Sequence, residues 1–447
     1  MMRRLSVIAA LVFTTLSTSA ATPTKRAANP RPPLSLRQST IENNASCDIS
    51  VSPSATLLLP YFEVDITKPV NQAANTIFSI VNTVRVPQIA RVTVWTDQGY
   101  PAVWFNVFLT GYDVQSISLY DVLARGMVPQ TSSAAVPGDR SAPNGSNGSF
   151  LSLEGCAASG GEMSQAVRES LQKLLTTGVQ DSAECRVGSQ HANATGYVTV
   201  DVVNSCSTLS PLDTSYYSQI LLYDNVLTGD FERINPDQTT GNYAGGSPMV
   251  HIKAVPEGGT AASGTTSLPY TFYDRFTPPG ARRIDRRQPL PAAFAARFIQ
   301  GGRAQFFTAY VLWREGAAAG GSACTSANAA MPVAATVRFD EDENPTVNAD
   351  SVVQSAPSSS AIPTTAAMFP PLTGYSVTGW MLIDLDNRAA ARAAGNPFSS
   401  SRPSQNWLLV RLSAEGRYAV DYDATAIANG CTNAGPVVQA VAERSEK

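Results

Sequence analysis

Two histidines, His191 and His251, serve the whole 447-residue chain. That scarcity narrows the routes to acid–base and nucleophilic catalysis at neutral pH. A Ser-His-Asp hydrolase needs one of them beside an activated serine, and no G-x-S-x-G elbow occurs to supply it. His251 alternates within Val250-His251-Ile252-Lys253 and reads as a hydrogen-bonded sheet residue. His191, in the polar run Gln190-His191-Ala192-Asn193, reads as plain surface. Neither an H-E-x-x-H run nor a Cys/His cluster is present for zinc, and no G-x-G-x-x-G or Walker A spacing offers a nucleotide cradle.

Carboxylates are the remaining chemical candidates. Asp340, Asp342 and Asn344 alternate just after a strand-like run, and oxygen ligands so spaced converge on a structural Ca²⁺ when the loop curls. The EF-hand pattern then fails, with Pro345 in the glycine position and Ser351 at position 12, so an ordinary solvated acidic turn competes with the calcium site. Asp384-Leu385-Asp386-Asn387 is a second, weaker case. Asp97, Asp113, Asp230, Asp274 and Asp421 flank aromatics near strand ends, where two carboxylates roughly 5 to 9.5 Å apart would cut glycosidic bonds. Trp95, Tyr100, Trp104 and Tyr112 lie close along the chain and form a candidate glycan-stacking face; core and rim packing is the commoner fate of such residues. The run Arg275, Arg282, Arg283, Arg286, Arg287 suits bidentate capture of anionic groups. The simpler reading pairs these arginines with the acidic excess and lays them over aromatics. Asn44, Asn144, Asn147 and Asn193 open N-x-Ser/Thr sequons, which mark surface loops.

Strands must position all of this. Residues 57–64, 76–82, 91–97, 103–109, 114–119, 196–204, 218–226 and 249–254 carry β-branched or aromatic residues, with turn signals about every 10 residues. Pro60 suits an edge or entry strand for the first. Similar runs follow at 305–313, 335–340, 379–384, 407–412 and 417–422. The spacing predicts a mainly β chain of antiparallel β-sandwiches, two units in all. One helix interrupts it: Met163, Val167, Leu171, Leu174 and Leu175 share a face, and Gly178 ends it. A faint duplication runs through Val94-Trp95-Thr96-Asp97-Gln98-Gly99 and Leu312-Trp313-Arg314-Glu315-Gly316. Ile80-Val81-Asn82-Thr83 and Val202-Val203-Asn204-Ser205 echo each other too.

Residues 1–21 read as a signal peptide: Arg3 and Arg4, an apolar stretch at 5–16, then small residues. Residues 22–54 read as a flexible tether, 55–255 as a first β-sandwich region with a helical insertion near 160–178, and 256–447 as a second β-rich region. Six cysteines, none in a C-x-x-C pair, fit an oxidising compartment. The expected pairs are Cys156–Cys185, Cys324–Cys431 and, by elimination, Cys47–Cys206, among fifteen connectivities. A net charge of −3 gives no electrostatic reason to bind nucleic acid, and no span long enough for a membrane helix follows the leader.

The segments LLLPYFEVD (57–65), TIFSIVNT (76–83), VTVWTDQGYP (92–101), FLTGYDVQSISL (108–119), DNVLTGDF (224–231), RRQPLPAAFAARF (286–298) and EGRYAVDYDA…NGC (415–431) resemble a family of exported bacterial proteins of unknown function. The resemblance implies a secreted, strand-rich protein and carries no activity or ligand. The expected role is a non-catalytic exported surface protein whose partners are envelope or extracellular glycans or proteins. A carbohydrate-binding module and a polysaccharide-active hydrolase are the alternatives.

Overall fold

The computed structural model describes residues 51–129, 161–180, 186–236, 243–260, 284–303, 305–314, 330–332, 335–348, 353–355, 359–362, 376–385, 405–414 and 418–428. The strands of the first half are β1 (Thr56–Val64), β2 (Asn75–Asn82), β3 (Gln88–Thr96), β4 (Pro101–Leu109), β5 (Val114–Ser118), β6 (Met127–Val128), β7 (Gly161–Glu162), β8 (Ala194–Val203), β9 (Leu227–Asn235), β10 (Tyr243–Pro248) and β11 (Val250–Ile252). The helix α1 (Gln165–Thr177) lies between β7 and β8. The second half contributes β12 (Ala293–Gly301), β13 (Phe306–Arg314), β14 (Ala330–Pro332), β15 (Ala335–Phe339), β16 (Pro345–Asn348), β17 (Val353–Ser355), β18 (Ser359–Ile362), β19 (Ser376–Asp384), β20 (Asn406–Ala414), β21 (Tyr418–Asp423) and β22 (Thr425–Ala428). All described pairings are antiparallel.

In the first half, sheet β11–β1–β8–β3–β4 stacks on sheet β10–β9–β2–β5. Leu57 of β1 reaches Gly229 of β9, where an added Cβ would sit 3.0 Å from its Cδ1. Alternation does the rest: one face of β1, β3 and β8 supplies aliphatic residues to the gap between the sheets. The same order then returns. β22–β12–β19–β15–β16 repeats the first sheet, and β21–β20–β13–β18 repeats the second. The two repeats are termed module 1 (β1–β11) and module 2 (β12–β22). A β12–β13 hairpin joins the two sheets of module 2 into one nine-stranded sheet.

Register makes the duplication specific. Phe62 faces Gly196 and Trp95 faces Tyr197 in module 1; Phe298 faces Gly379 and Phe339 faces Trp380 in module 2. A Cβ on Gly196 would lie 2.0 Å from the Trp95 carbonyl oxygen and 3.0 Å from the Phe62 ring. On Gly379 it would lie 2.1 Å from the Phe339 carbonyl oxygen and 3.1 Å from the Phe298 ring. Only glycine fits either cradle. The repeat is carried by Thr195-Gly196-Tyr197…Asp201…Asn204 against Thr378-Gly379-Trp380…Asp384…Asn387. The expected match of Trp95 with Trp313 is therefore corrected: Trp95 lies on β3, whose counterpart is β15, whereas Trp313 lies on β13, the counterpart of β2.

Other elements depart from expectation for local reasons. β1 is an interior strand between β11 and β8, and Pro60 is accommodated where the register slips between Leu59 and Phe62. Residues 218–226 form no strand; Tyr216–Ile220 is a π-helical turn that packs Tyr216 and Tyr217 inward. The helix forms as expected, with Ser164 capping its start, Gly178 left-handed at its end, and Leu171, Leu174 and Leu175 buried. Val167 points out to solvent.

One hydrophobic cluster includes side chains from both modules. Tyr197 is its pivot, stacked on Trp95 at 5.8 Å and met edge-on by Trp313 at 5.8 Å. β10 runs beside β21, where the Ser247 hydroxyl hydrogen-bonds the Asp423 carboxylate.

Candidate functional site

The densest assembly of chemical groups lies on the face of β1, β3 and β8 turned away from the module 1 interior. Thr56 and Arg91 flank Asp201 across the strands. The segment 284–292, which leads into β12, covers this face: Val255 N–H donates to Arg286 O, and Gln288 N–H donates to Lys253 O. It brings in Arg287, whose guanidinium donates to Asp285 Oδ2 at 2.7 Å and Asp201 Oδ1 at 3.2 Å. Thr56 Oγ1 donates to Asp201 Oδ1 and Tyr216 OH to Asp201 Oδ2, both at 2.6 Å. Arg91 lies between the rings of Trp104 and Tyr216 and donates to the Ser207 and Leu209 carbonyls. Arg286 covers the Tyr223 ring at 4.3 Å and donates to the Gly258, Gly259 and Thr260 carbonyls.

Burial opposes charge on Arg287, but the Asp285 and Asp201 carboxylates outweigh it and hold the guanidinium above its ordinary range. Burial, reinforced by the Asp201 charge, keeps the Tyr216 phenol protonated. Each Asp201 oxygen already accepts hydrogen bonds, and Asp201, Asp285 and Arg287 are all buried. Such a set fastens chain segments together and has no access to a substrate proton. The simpler reading of the arginine run describes Arg286 and Arg287, which pair and stack internally; Arg275, Arg282 and Arg283 lie outside the described residues.

A second cluster crowns the β3–β4 turn. Asp97 accepts from Ser189 N–H at 2.9 Å, and its other oxygen lies 2.9 Å from His191 Nε2. Gln98 donates to Ser189 Oγ, and His191 N–H donates to Thr176 O at the end of α1. His191 is thus a partly buried partner of Asp97, which corrects its reading as plain surface. The Asp–His pair has half the form of a hydrolase triad. No serine, threonine or cysteine hydrogen-bonds the ring among the described contacts, so no nucleophile is aligned. His251 is the expected sheet residue: Nε2 accepts from Gly229 N–H at 3.3 Å, and burial lowers its pKa to about 4.

The Asp340 calcium candidate folds differently; Asp386 and Asn387 of the second candidate lie outside the described residues. Asp340 Oδ1 accepts from the Asp342 and Asn344 N–H groups at 3.0 and 2.8 Å, and the Asn344 amide nitrogen lies 3.0 Å from Oδ2. Asn344 turns donor hydrogens toward Asp340, so the three side chains close a turn without presenting a common set of oxygens. No group of three or more metal-ligating side chains occurs among the described residues. Asp340 and Asp97 occupy corresponding turns, β15–β16 and β3–β4.

The four aromatics are divided. Trp95 is buried, stacked on Tyr197, and donates to Thr199 Oγ1. Trp104 is half-buried beneath Arg91, Tyr100 is half-buried at its turn, and Tyr112 is 68% exposed with φ 57°. They form no exposed row. Of the flanked acids, Asp113 closes its own turn by accepting from Thr110 N–H and Oγ1, and Asp274 lies outside the described residues. Sequence reasoning missed an exposed aromatic: Trp380, under Arg297 at 4.8 Å. The Thr-Gly-aromatic repeat was the signal that would have found it.

Of the six cysteines only Cys206 is described, and it is not a free thiol. Cys47, Cys156, Cys185, Cys324 and Cys431 lie outside the described residues. No described helix is long and apolar enough to cross a membrane. Neither protein-family models, nor curated proteins, nor solved structures yield a match to this chain.

Proposed function

We propose that this chain is an exported, non-catalytic β-sandwich protein with a structural or binding role in the periplasm, at the cell surface or outside the cell. One observation carries the reading: the groups best suited to chemistry are spent on holding segments together. Asp201, Asp285 and Arg287 fasten the segment between the modules, and Asp97 with His191 fastens the end of the helical insertion. Export rests on the N-terminal leader and on the even cysteine count, paired as Cys156–Cys185, Cys324–Cys431 and Cys47–Cys206. The oxidised state of Cys206 supports it.

Glycan binding is the second reading, and the exposed ring of Tyr112 favours it. A C-terminally tagged full chain tests both. The expected product has lost residues 1–21, sits outside the cytoplasm, gains mass only after reduction and alkylation, and binds no glycan on an array. Unprocessed, reduced protein in the cytosol would refute export. A glycan signal abolished by Tyr112→Ala would replace the structural role with the second reading.

A further inference from the structure

The modules meet most extensively where β10 runs beside β21, strands that hold corresponding places in their sheets. This seam is built unlike the rest of the fold. No ladder pairs the two strands, and no backbone hydrogen bond joins them among the described residues. β10 reads Tyr-Ala-Gly-Gly-Ser-Pro, so Gly245 and Gly246 bring no side chain to it. Side chains must hold the seam, and one carboxyl is central. Asp423 Oδ1 accepts from Trp407 Nε1–H at 2.9 Å, and the same carboxyl hydrogen-bonds the Ser247 hydroxyl of β10. Trp407 is buried and meets Phe294 of β12 edge-on at 6.0 Å. Asp423 thus ties the core of module 2 to an edge strand of module 1.

The tie depends on a proton. A neutral carboxyl satisfies both neighbours: Oδ1 accepts from Trp407, and the acid O–H has the Ser247 oxygen as its acceptor. A carboxylate keeps two donors, yet its burial must be offset by charge, and no cation does so. The charged side chains on the adjoining strands are Arg411 of β20, Asp421 of β21, and Asp230, Glu232 and Arg233 of β9. None of them sets the proton affinity of Asp423, which burial raises to about 6 against the two hydrogen bonds. We propose that Asp423 is a proton-operated latch on the seam between the modules: its neutral carboxyl holds β10 against β21, and its carboxylate admits water and loosens them while both sandwiches stay folded. Linkage fixes the direction. The closed seam holds the proton more tightly than the open one, so the latch is fully engaged below about pH 4 and weakens as pH rises through about 6. His251 of β11 titrates in the opposite sense, because burial lowers its pKa to about 4, and its contribution belongs to the β1–β11 pairing. The latch does not depend on where the protein resides or on glycan binding.

Amide hydrogen exchange of the full chain at pH 5 and pH 7.5, read by mass spectrometry and corrected for intrinsic rates, tests it. In the wild type β10 and β21 should open with less free energy than β8 and β19, and their protection should fall about tenfold at the higher pH. Asp423→Asn keeps a neutral group that bonds both Trp407 and Ser247, so its seam should be equally protected at both pH values. This variant leaves His251 in place and so separates the two titrations. Ser247→Ala removes the module 1 end of the tie and should expose β10 already at pH 5; it carries the test if Asp423→Asn fails to fold. Three results would overturn the proposal: β10 and β21 exchanging in step with β8 and β19 at both pH values, an Asp423→Asn variant with the wild-type pH dependence, or a Ser247→Ala variant as protected at pH 5 as the wild type.

Discussion

Asp201 shows how a single side chain decides what this surface can do. It faces Thr56 and Arg91 across the strands, accepts from Thr56 and Tyr216, and neutralises part of Arg287. Asp201→Ala would leave Arg287 buried with Asp285 as its remaining anion and strand the Tyr216 hydroxyl. Breaking a buried pair in this way costs about 3 to 5 kcal/mol, read as a fall in the urea midpoint with unchanged slope. A second prediction concerns pH. Burial raises the Asp423 and Asp224 carboxyls to about 6, well above their unfolded values, so the folded state holds their protons more tightly. Their contribution is fully present below about pH 4 and is lost as pH rises through about 6. His251 opposes them: its folded value of about 4 lies below the unfolded one, so its contribution grows over the same window. Asp423→Asn should therefore lose less stability than the wild type between pH 4.5 and 7, and His251→Gln should lose more. Equal losses in all three proteins would refute these assignments. At this scale the sequence showed that His251 belongs to a sheet. It could not show that Asp97 meets His191, because 94 residues separate them and only the returning chain closes that distance.

At the scale of elements, the paired glycines test the duplication directly. Gly196→Ala and Gly379→Ala each drive a methyl group into a neighbouring strand's carbonyl oxygen and a phenylalanine ring. Overpacking of this kind costs about 1 to 3 kcal/mol or more, and the two substitutions should have similar effects in chemical denaturation. A large effect at one and none at the other would argue against equivalent cradles. Asp97→Ala acts on a different element. It removes the acceptor that binds Ser189 N–H and His191, so residues 186–191 and the end of α1 should exchange amide hydrogens faster, while β3 and β8 stay protected. Strand legibility followed side-chain type. β8 and β20 were visible because β8 alternates valine with polar residues and β20 carries a continuous Trp-Leu-Leu-Val run. β12, written Ala-Phe-Ala-Ala-Arg-Phe-Ile-Gln-Gly, was missed because its alanines carry no strand signal, and pairing with β19 decides its state. Pro60 suggested an edge or entry strand, and a register shift allows it inside an interior strand, paired with β11 and β8.

The whole molecule combines two sandwiches that are alike in strand order and unlike in surroundings. Module 1 has its outer face covered by the intermodule segment and by Trp313, whereas the corresponding face of module 2 shows Trp380 to solvent. Sequence periodicity predicted two sandwich units, yet matched the wrong tryptophans, because the side chains that repeat most visibly are not the ones in corresponding strands. The backbone cradle is what the two copies share, and its trace in sequence is a short Thr-Gly-aromatic run. A continuous core and a buried Arg287 clamp should make the modules unfold together. In hydrogen exchange across a series of sub-denaturing urea concentrations, β8 and β19 should open with the same free energy. Arg287→Met keeps much of the side-chain volume but removes both ion pairs and leaves Asp201 and Asp285 buried without their cation. That change should weaken module 1 and the clamp while leaving the β12–β19 pairing intact, so β8 should then open at lower urea than β19. If β8 and β19 already open separately in the wild type, the Tyr197–Trp313 contact and the Arg287 clamp do not couple the modules, and the molecule behaves as two beads on a chain.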